Sequence, residues 1–273
     1  MTTATFERVP ERTIPGLSFA RVLRSEVIKF RSLRSTWITY VVALLMADGL
    51  GVLVAALRGN DIHSHGGVRV IDSVAFPLRG LMLAQLAIGV IGVLFITGEY
   101  ATGSIRSSMT AVPKRVPVLL GKTVVIALIT GILSLVMTFV AFFAGEAVLS
   151  TWGYNVGLGH PGALRAVTGA ALYLVCIALM GLGIGFALRN TGGAIATLFG
   201  IVLVLPLISE SLPASWQDHI SKFLPLNIAT HMVETNYDPG STALSNGWGA
   251  VMLVVYAVVA LVIGLVVLKR RDV

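Results

Sequence analysis

Residues 118–144 read VLLGKTVVIALITGILSLVMTFVAFFA, twenty-seven residues whose single charge, Lys122, stands near the start. As an α-helix this stretch is roughly 40 Å long, more than the ~30 Å hydrocarbon core of a bilayer. Its apolar residues run continuously rather than alternating, so it does not read as a strand of an outer-membrane barrel. A backbone in lipid must satisfy its own hydrogen bonds, which leaves a transmembrane helix. Five further blocks share this character, at residues 37–57, 80–97, 166–188, 192–208 and 251–268.

Composition agrees. The chain is 56% hydrophobic, only 12% charged, and has a mean hydropathy of +0.88, which excludes an ordinary water-soluble domain. The expected fold is all-α: one polytopic membrane domain over 1–273, with an N-terminal stretch at 1–36, six spans over 37–268 and a short tail at 269–273. Residues 1–14 carry Glu7, Arg8, Glu11 and Arg12 and no apolar core, so no cleavable signal is expected there and the first span serves as insertion signal. Cys176 is the only cysteine, so no internal disulfide can form.

The net charge of +7 is distributed by side. Fifteen of the twenty Lys and Arg residues flank the spans on one side: the stretch before the first span, the loop after the second (Arg106, Lys114, Arg115), Lys122, Arg189 and the tail. The other side holds most of the acids, among them Asp61, Asp72, Glu146, Glu210 and Glu234. Basic flanks stay in the cytoplasm, so both termini are expected there, and an even number of crossings requires them to share a side. This distribution points to the bilayer as partner and away from nucleic acid.

Three soluble segments stand out. Over residues 17–37, helical spacing gathers Phe19, Val22, Leu23, Val27, Phe30, Leu33 and Trp37 on one face and sets Arg21, Arg24 and Arg31 opposite, as in a helix lying on a membrane surface. Glu26 falls on the apolar face, against the pattern. In the loop GEYATGSIRSSMTAVPKRVP, residues 98–117, Ala101, Ile105, Met109 and Val112 form a narrow apolar stripe ended by Pro113 and Pro117. Such a helix is shaped to enter a groove on a partner protein. Residues 206–248 connect the last two spans; Ser215 with Asp218 resembles a helix cap, with Trp216, Ile220, Phe223 and Leu224 following on one face.

No catalytic set emerges. Gly121, Lys122 and Thr123 imitate the end of a phosphate-binding loop, but the required earlier glycine is Val116 and no strand precedes it. Lys122 reads instead as a cationic anchor at the end of the third span. His63 and His65 with Asp61 and Asp72 are the nearest approach to a metal set, and they read as loop residues, so no metal is expected. Asp48, in the middle of the first span, costs several kcal/mol unless it faces a cavity or finds a partner, and is a candidate pathway residue. Gln85 in the second span is a milder candidate, and a helix-to-helix hydrogen bond is the alternative for both. Gly181 and Gly185 in the fourth span, with Gly192, Gly193 and Gly200 in the fifth, suit close helix packing.

Taken together, these segments resemble the membrane subunits of type 2 ABC export systems, particularly the short six-span permeases of actinobacteria. RSEVIKFRSLRSTW resembles the family's interfacial helix, GEYATGSIRSSMTAVPKR its coupling helix, and ALRNTGGAIATLFGIVLVLPLI followed by FLPLN its fifth span and re-entrant region. The resemblance implies two permease subunits, this chain with a second copy or a homologue, bound to separate ABC ATPase subunits in a bacterial cytoplasmic membrane. ATP and Mg would then be cofactors of the partner and this chain would hold none. By position, Glu99, Tyr100, Gly103, Ser104, Ile105, Arg106 and Met109 would be coupling residues, with Glu26 and Arg31 of the entry helix close by. The first, second and fifth spans would line the pathway. The rival readings are a secondary transporter using Asp48 as proton carrier, and a membrane scaffold that transports nothing.

Overall fold

A computed structural model describes residues 18–32, 34–64, 72–105, 115–235 and 243–270. Arg106 and Met109 therefore lie outside the described residues. Helix α1 is Phe19–Ser32, followed by α2 (Arg34–Ser64), the short α3 (Ala75–Leu78), α4 (Leu81–Ala101), α5 (Arg115–Leu149), α6 (Ala163–Leu188) and α7 (Thr191–Phe199). A π-turn over Gly200–Val204 joins α7 to α8 (Leu205–Ser209); then come α9 (Ala214–Ile220), α10 (Pro225–Val233) and α11 (Asn246–Arg270). Six segments are long and apolar enough to cross a membrane: Arg34–Ser64, Ala75–Ala101, Val116–Trp152, Ala163–Leu188, Thr191–Ser209 and Asn246–Arg270. The fold is an all-α polytopic membrane protein, and no strand occurs among the described residues.

All six spans outrun the apolar blocks that announce them. In the third the helix continues past residue 144 through Glu146 to Leu149, and Glu146 is not left facing lipid. Oε2 of the buried Glu146 accepts the N–H groups of Val156 (2.7 Å) and Gly157 (3.0 Å) from the following loop, while Oε1 is buried with no partner among the described residues.

The second and fourth spans form the core: 67% of each apolar window is buried, against 22% for the fifth and sixth. Their contact depends on absent side chains. A Cβ on Gly181 would come within 2.6 Å of the Gly89 carbonyl oxygen, and one on Gly185 within 2.6 Å of Ile96 Cγ2. A Cβ on Gly264 of α11 would come within 2.7 Å of the Gly183 carbonyl oxygen, drawing the last span onto the fourth. The fourth-span glycines thus serve packing within the chain. In the fifth span Gly200 has nothing within 4 Å.

The fourth and fifth spans are joined by a two-residue reversal. Arg189 closes α6 in the left-handed region at φ 56°, and the Asn190 side chain caps α7 by accepting the Gly193 N–H at 2.7 Å. On the first span, Tyr40 is buried and shares a 2.6 Å hydrogen bond with Thr130 of α5.

In the long connection, α9 starts directly after Pro213, so Ser215 lies inside the helix and is not its cap; the Asp218 side chain lies outside the described residues. Trp216 is exposed, while Leu226, Ile228, Ala229, Met232 and Val233 of α10 are buried against the bundle. The packed helix of this connection is thus α10 rather than the stretch holding Trp216.

Candidate functional site: a buried charge cluster at the terminal face

The face of the bundle that carries α1 and the end of α11 is here the near face, and the opposite one the far face. At the near face α1 lies against the start of α5, burying Val22, Glu26 and Phe30. Phe30 packs edge-on to Phe95 of α4 with ring centroids 5.4 Å apart, and to Trp37 at 6.2 Å.

Glu26, the residue that breaks the amphipathic pattern, organises this corner. Lys122 Nζ donates to Glu26 Oε2 at 2.6 Å and to Glu99 Oε1 at 2.7 Å. Lys29 Nζ donates to Glu26 Oε1 and to Glu99 Oε1, both at 2.9 Å. The Lys122 side chain is 0% exposed, Glu26 3% and Glu99 12%. Phe95 completes the enclosure, with Lys122 Nζ 4.4 Å from its ring centroid. Two ammonium and two carboxylate groups cancel, which is the condition on which charges tolerate burial. Burial alone would lower the Lys29 ammonium's pKa, but the hydrogen bonds and charges of Glu26 and then Glu99 outweigh it and hold it above the ordinary lysine value. Glu99 Oε2 has no hydrogen-bond partner among the described residues.

Lys122 is therefore not an anchor reaching for water: it is a fully buried cation that binds three helices together. Four residues link α1, the end of the second span and the start of the third into one unit. Beside them lies a cavity of about 410 Å³ lined by Lys29, Ser32, Ser35, Thr36, Glu99 and Thr102.

The remaining expected residues fall in different places. Glu99 and Tyr100 belong to the last turn of α4, and Arg189 stands over the Tyr100 ring at 5.4 Å. Gly103 turns the chain at φ 72°, and Ser104 is exposed. Ile105 is only 2% exposed, so the stripe expected to meet a partner is, at this residue, part of the chain's own core. Arg31 is exposed on α1 and takes no part in the cluster. Gln85 is buried between the second and fourth spans: Tyr173 donates its hydroxyl to Gln85 Oε1, and Gln85 Nε2 donates to the Met82 carbonyl oxygen at 2.8 Å. Asp48 is half-buried at the margin of an open face bearing Leu45 and Leu53, and its Oδ1 is buried with no partner among the described residues. Asp72 accepts from the Ala75 N–H (2.9 Å), the Thr235 N–H (2.6 Å) and the Thr235 hydroxyl (2.9 Å). Among the described residues no three His, Cys, Asp or Glu side chains converge to hold a metal.

Sequence reasoning missed Lys29 and Lys122 as members of this site. The signal was present: an acid on the apolar face of an amphipathic helix requires a base, and Lys122 is the only charge in the third apolar block, residues 118–144.

No curated protein matches the chain. Residues 20–273, from the second residue of α1 to the last residue, match the family described as ABC-2 family transporter protein. The geometry and this match agree, and the chain belongs to the ABC-2 transporter family: it is the multi-pass membrane permease of an ABC system, a transport subunit and not itself a catalyst.

Proposed function

We propose that this permease is the membrane half of an ATP-driven exporter, paired with a second permease and driven by separate ATPase subunits docked at the near face, which is cytoplasmic. The observation that carries this reading is the buried cluster of Glu26, Lys29, Glu99 and Lys122. Glu99 is the second residue of the segment resembling a coupling helix and lies in the last turn before its exposed Thr102, Gly103 and Ser104. A push delivered there would not be absorbed by a loose loop, because the cluster welds the end of the second span to α1 and to the third span. Packed, hydrogen-bonded units of this kind move as bodies. The basic residues of this face support its cytoplasmic placement.

The pathway is assigned to the face shared by two copies. Asp48 of the first span has one buried oxygen unpartnered among the described residues, and the fifth span, packed on one side through Ala194, Leu198 and Val202, leaves Leu203, Leu205 and Leu207 exposed on the other. An ionisable group at this depth requires water or a polar group from the other subunit.

The test is co-purification with the ATPase of the same transport system, followed by ATP-dependent export from vesicles. Ser104→Lys, at an exposed position, is expected to lose the ATPase while leaving the unfolding temperature unchanged. Asp48→Asn is expected to keep the ATPase and lose export. Full transport driven by a proton gradient, with no ATP-hydrolysing companion, would overturn the proposal in favour of a secondary transporter.

A further inference from the structure

At the far face a second cavity, of about 270 Å³, lies between the start of the second span, α6 and α10. Its floor is built from Leu78, Leu81, Ala170, Tyr173, Leu226 and Ala229, all buried. Its rim is polar, with Arg79, Thr230 and Glu234. The rim sits near the boundary of the hydrocarbon. The 23 residues from Lys122 to Gly145 climb roughly 34 Å along α5, and Gly145 packs against Pro77, two residues before Arg79.

The charges of the rim are unequally committed. Glu234 Oε2 faces His231 Nδ1 at 3.2 Å, and the Glu234 carbonyl oxygen accepts from Arg165 at 2.9 Å. Asp72 is occupied by Thr235 and the start of α3. Arg79 is exposed, and its side chain makes no hydrogen bond or ion pair with any described residue. A guanidinium presents a planar fork that matches phosphate or carboxylate. Pockets for small ligands begin at about 300 Å³, so this one has room for a single short alkyl chain.

We infer that this cavity binds an anionic amphiphile by one alkyl chain, with its phosphate or carboxylate on Arg79 at the membrane boundary and that chain in the pocket above Tyr173. Such a group comes either from an anionic lipid of the surrounding leaflet or from a free amphiphile. The site lies within one subunit and does not rest on the coupling proposal.

The probe is octyl phosphate, titrated calorimetrically into the full chain in phosphatidylcholine nanodiscs with empty discs subtracted. Saturable binding is expected. Arg79→Gln should weaken it on the order of tenfold or more, since a charge-assisted pair is lost. Ala229→Leu, which fills the pocket, should abolish it, and octyltrimethylammonium should not compete. Discs containing phosphatidylglycerol separate the sources: loss of octyl phosphate binding there identifies the lipid as occupant, and retention identifies the free amphiphile. Equal binding by wild type and Arg79→Gln, whose exposed position leaves the fold undisturbed, would overturn the inference, as would no saturable binding at all.

Discussion

Lys122→Met is the sharpest test of the near-face cluster. Methionine keeps the length and most of the volume of lysine, so the variant removes charge without opening a large cavity. What remains is Glu26 and Glu99, 3% and 12% exposed, sharing Lys29, whose side chain is 37% exposed. Removing one partner from a buried ion pair costs about 3–5 kcal/mol, because the other charge is left in a medium that cannot solvate it. For a chain of this size that corresponds to a fall in unfolding temperature on the order of 10 °C. The assay is thermal unfolding of the detergent-solubilised protein. Adding Glu26→Gln restores neutrality, leaving Lys29 opposite Glu99 at 2.9 Å. The double variant should therefore be more stable than the sum of the two single variants predicts, by roughly 0.5–3 kcal/mol. A single variant that unfolds with wild type, or a strictly additive pair, would show that these charges are solvated and that the cluster does not bind α1 to the spans.

Three further outcomes follow from contacts already described. Tyr40→Phe removes the buried hydrogen bond to Thr130 and should cost about 1 kcal/mol in the same unfolding assay. Gly181→Leu would drive a side chain against the Gly89 carbonyl oxygen and should abolish the folded protein as judged by gel filtration. The His231 imidazolium is held above the ordinary histidine value by its hydrogen bond to Glu234, with burial opposing. The contribution of that pair is complete below about pH 6.5 and is lost as pH rises through the raised value. Both side chains are about 40% exposed, so the effect on stability is small. An NMR titration of His231 should move down towards the ordinary value in Glu234→Gln.

How much of this was legible in the sequence depended on the kind of interaction. The spans were, because the requirement that lipid-exposed backbone satisfy itself is local and repeats every residue. Their ends were not: helix α5 continues through Glu146 to Leu149, and Glu146 meets the Val156 and Gly157 N–H groups, a contact made by a chain reversal that no hydropathy window contains. The same division separates Asp48 from Gln85, two polar residues in adjacent spans read by the same rule. Gln85 is matched by Tyr173, 88 residues away, while Asp48 keeps an unpartnered oxygen. The cost of burial is written in a sequence, but the identity of the group that offsets it is written in the packing. Glu26 carries the point furthest. Its place on an apolar helix face marked it as an exception, and the residue that resolves it, Lys122, sits 96 positions later in the stretch whose reading established the membrane fold. A charge that interrupts a span is thus better searched for its partner than discounted as an anchor. By that rule Asp48, whose Oδ1 is buried with no partner among the described residues, directs attention to a second subunit.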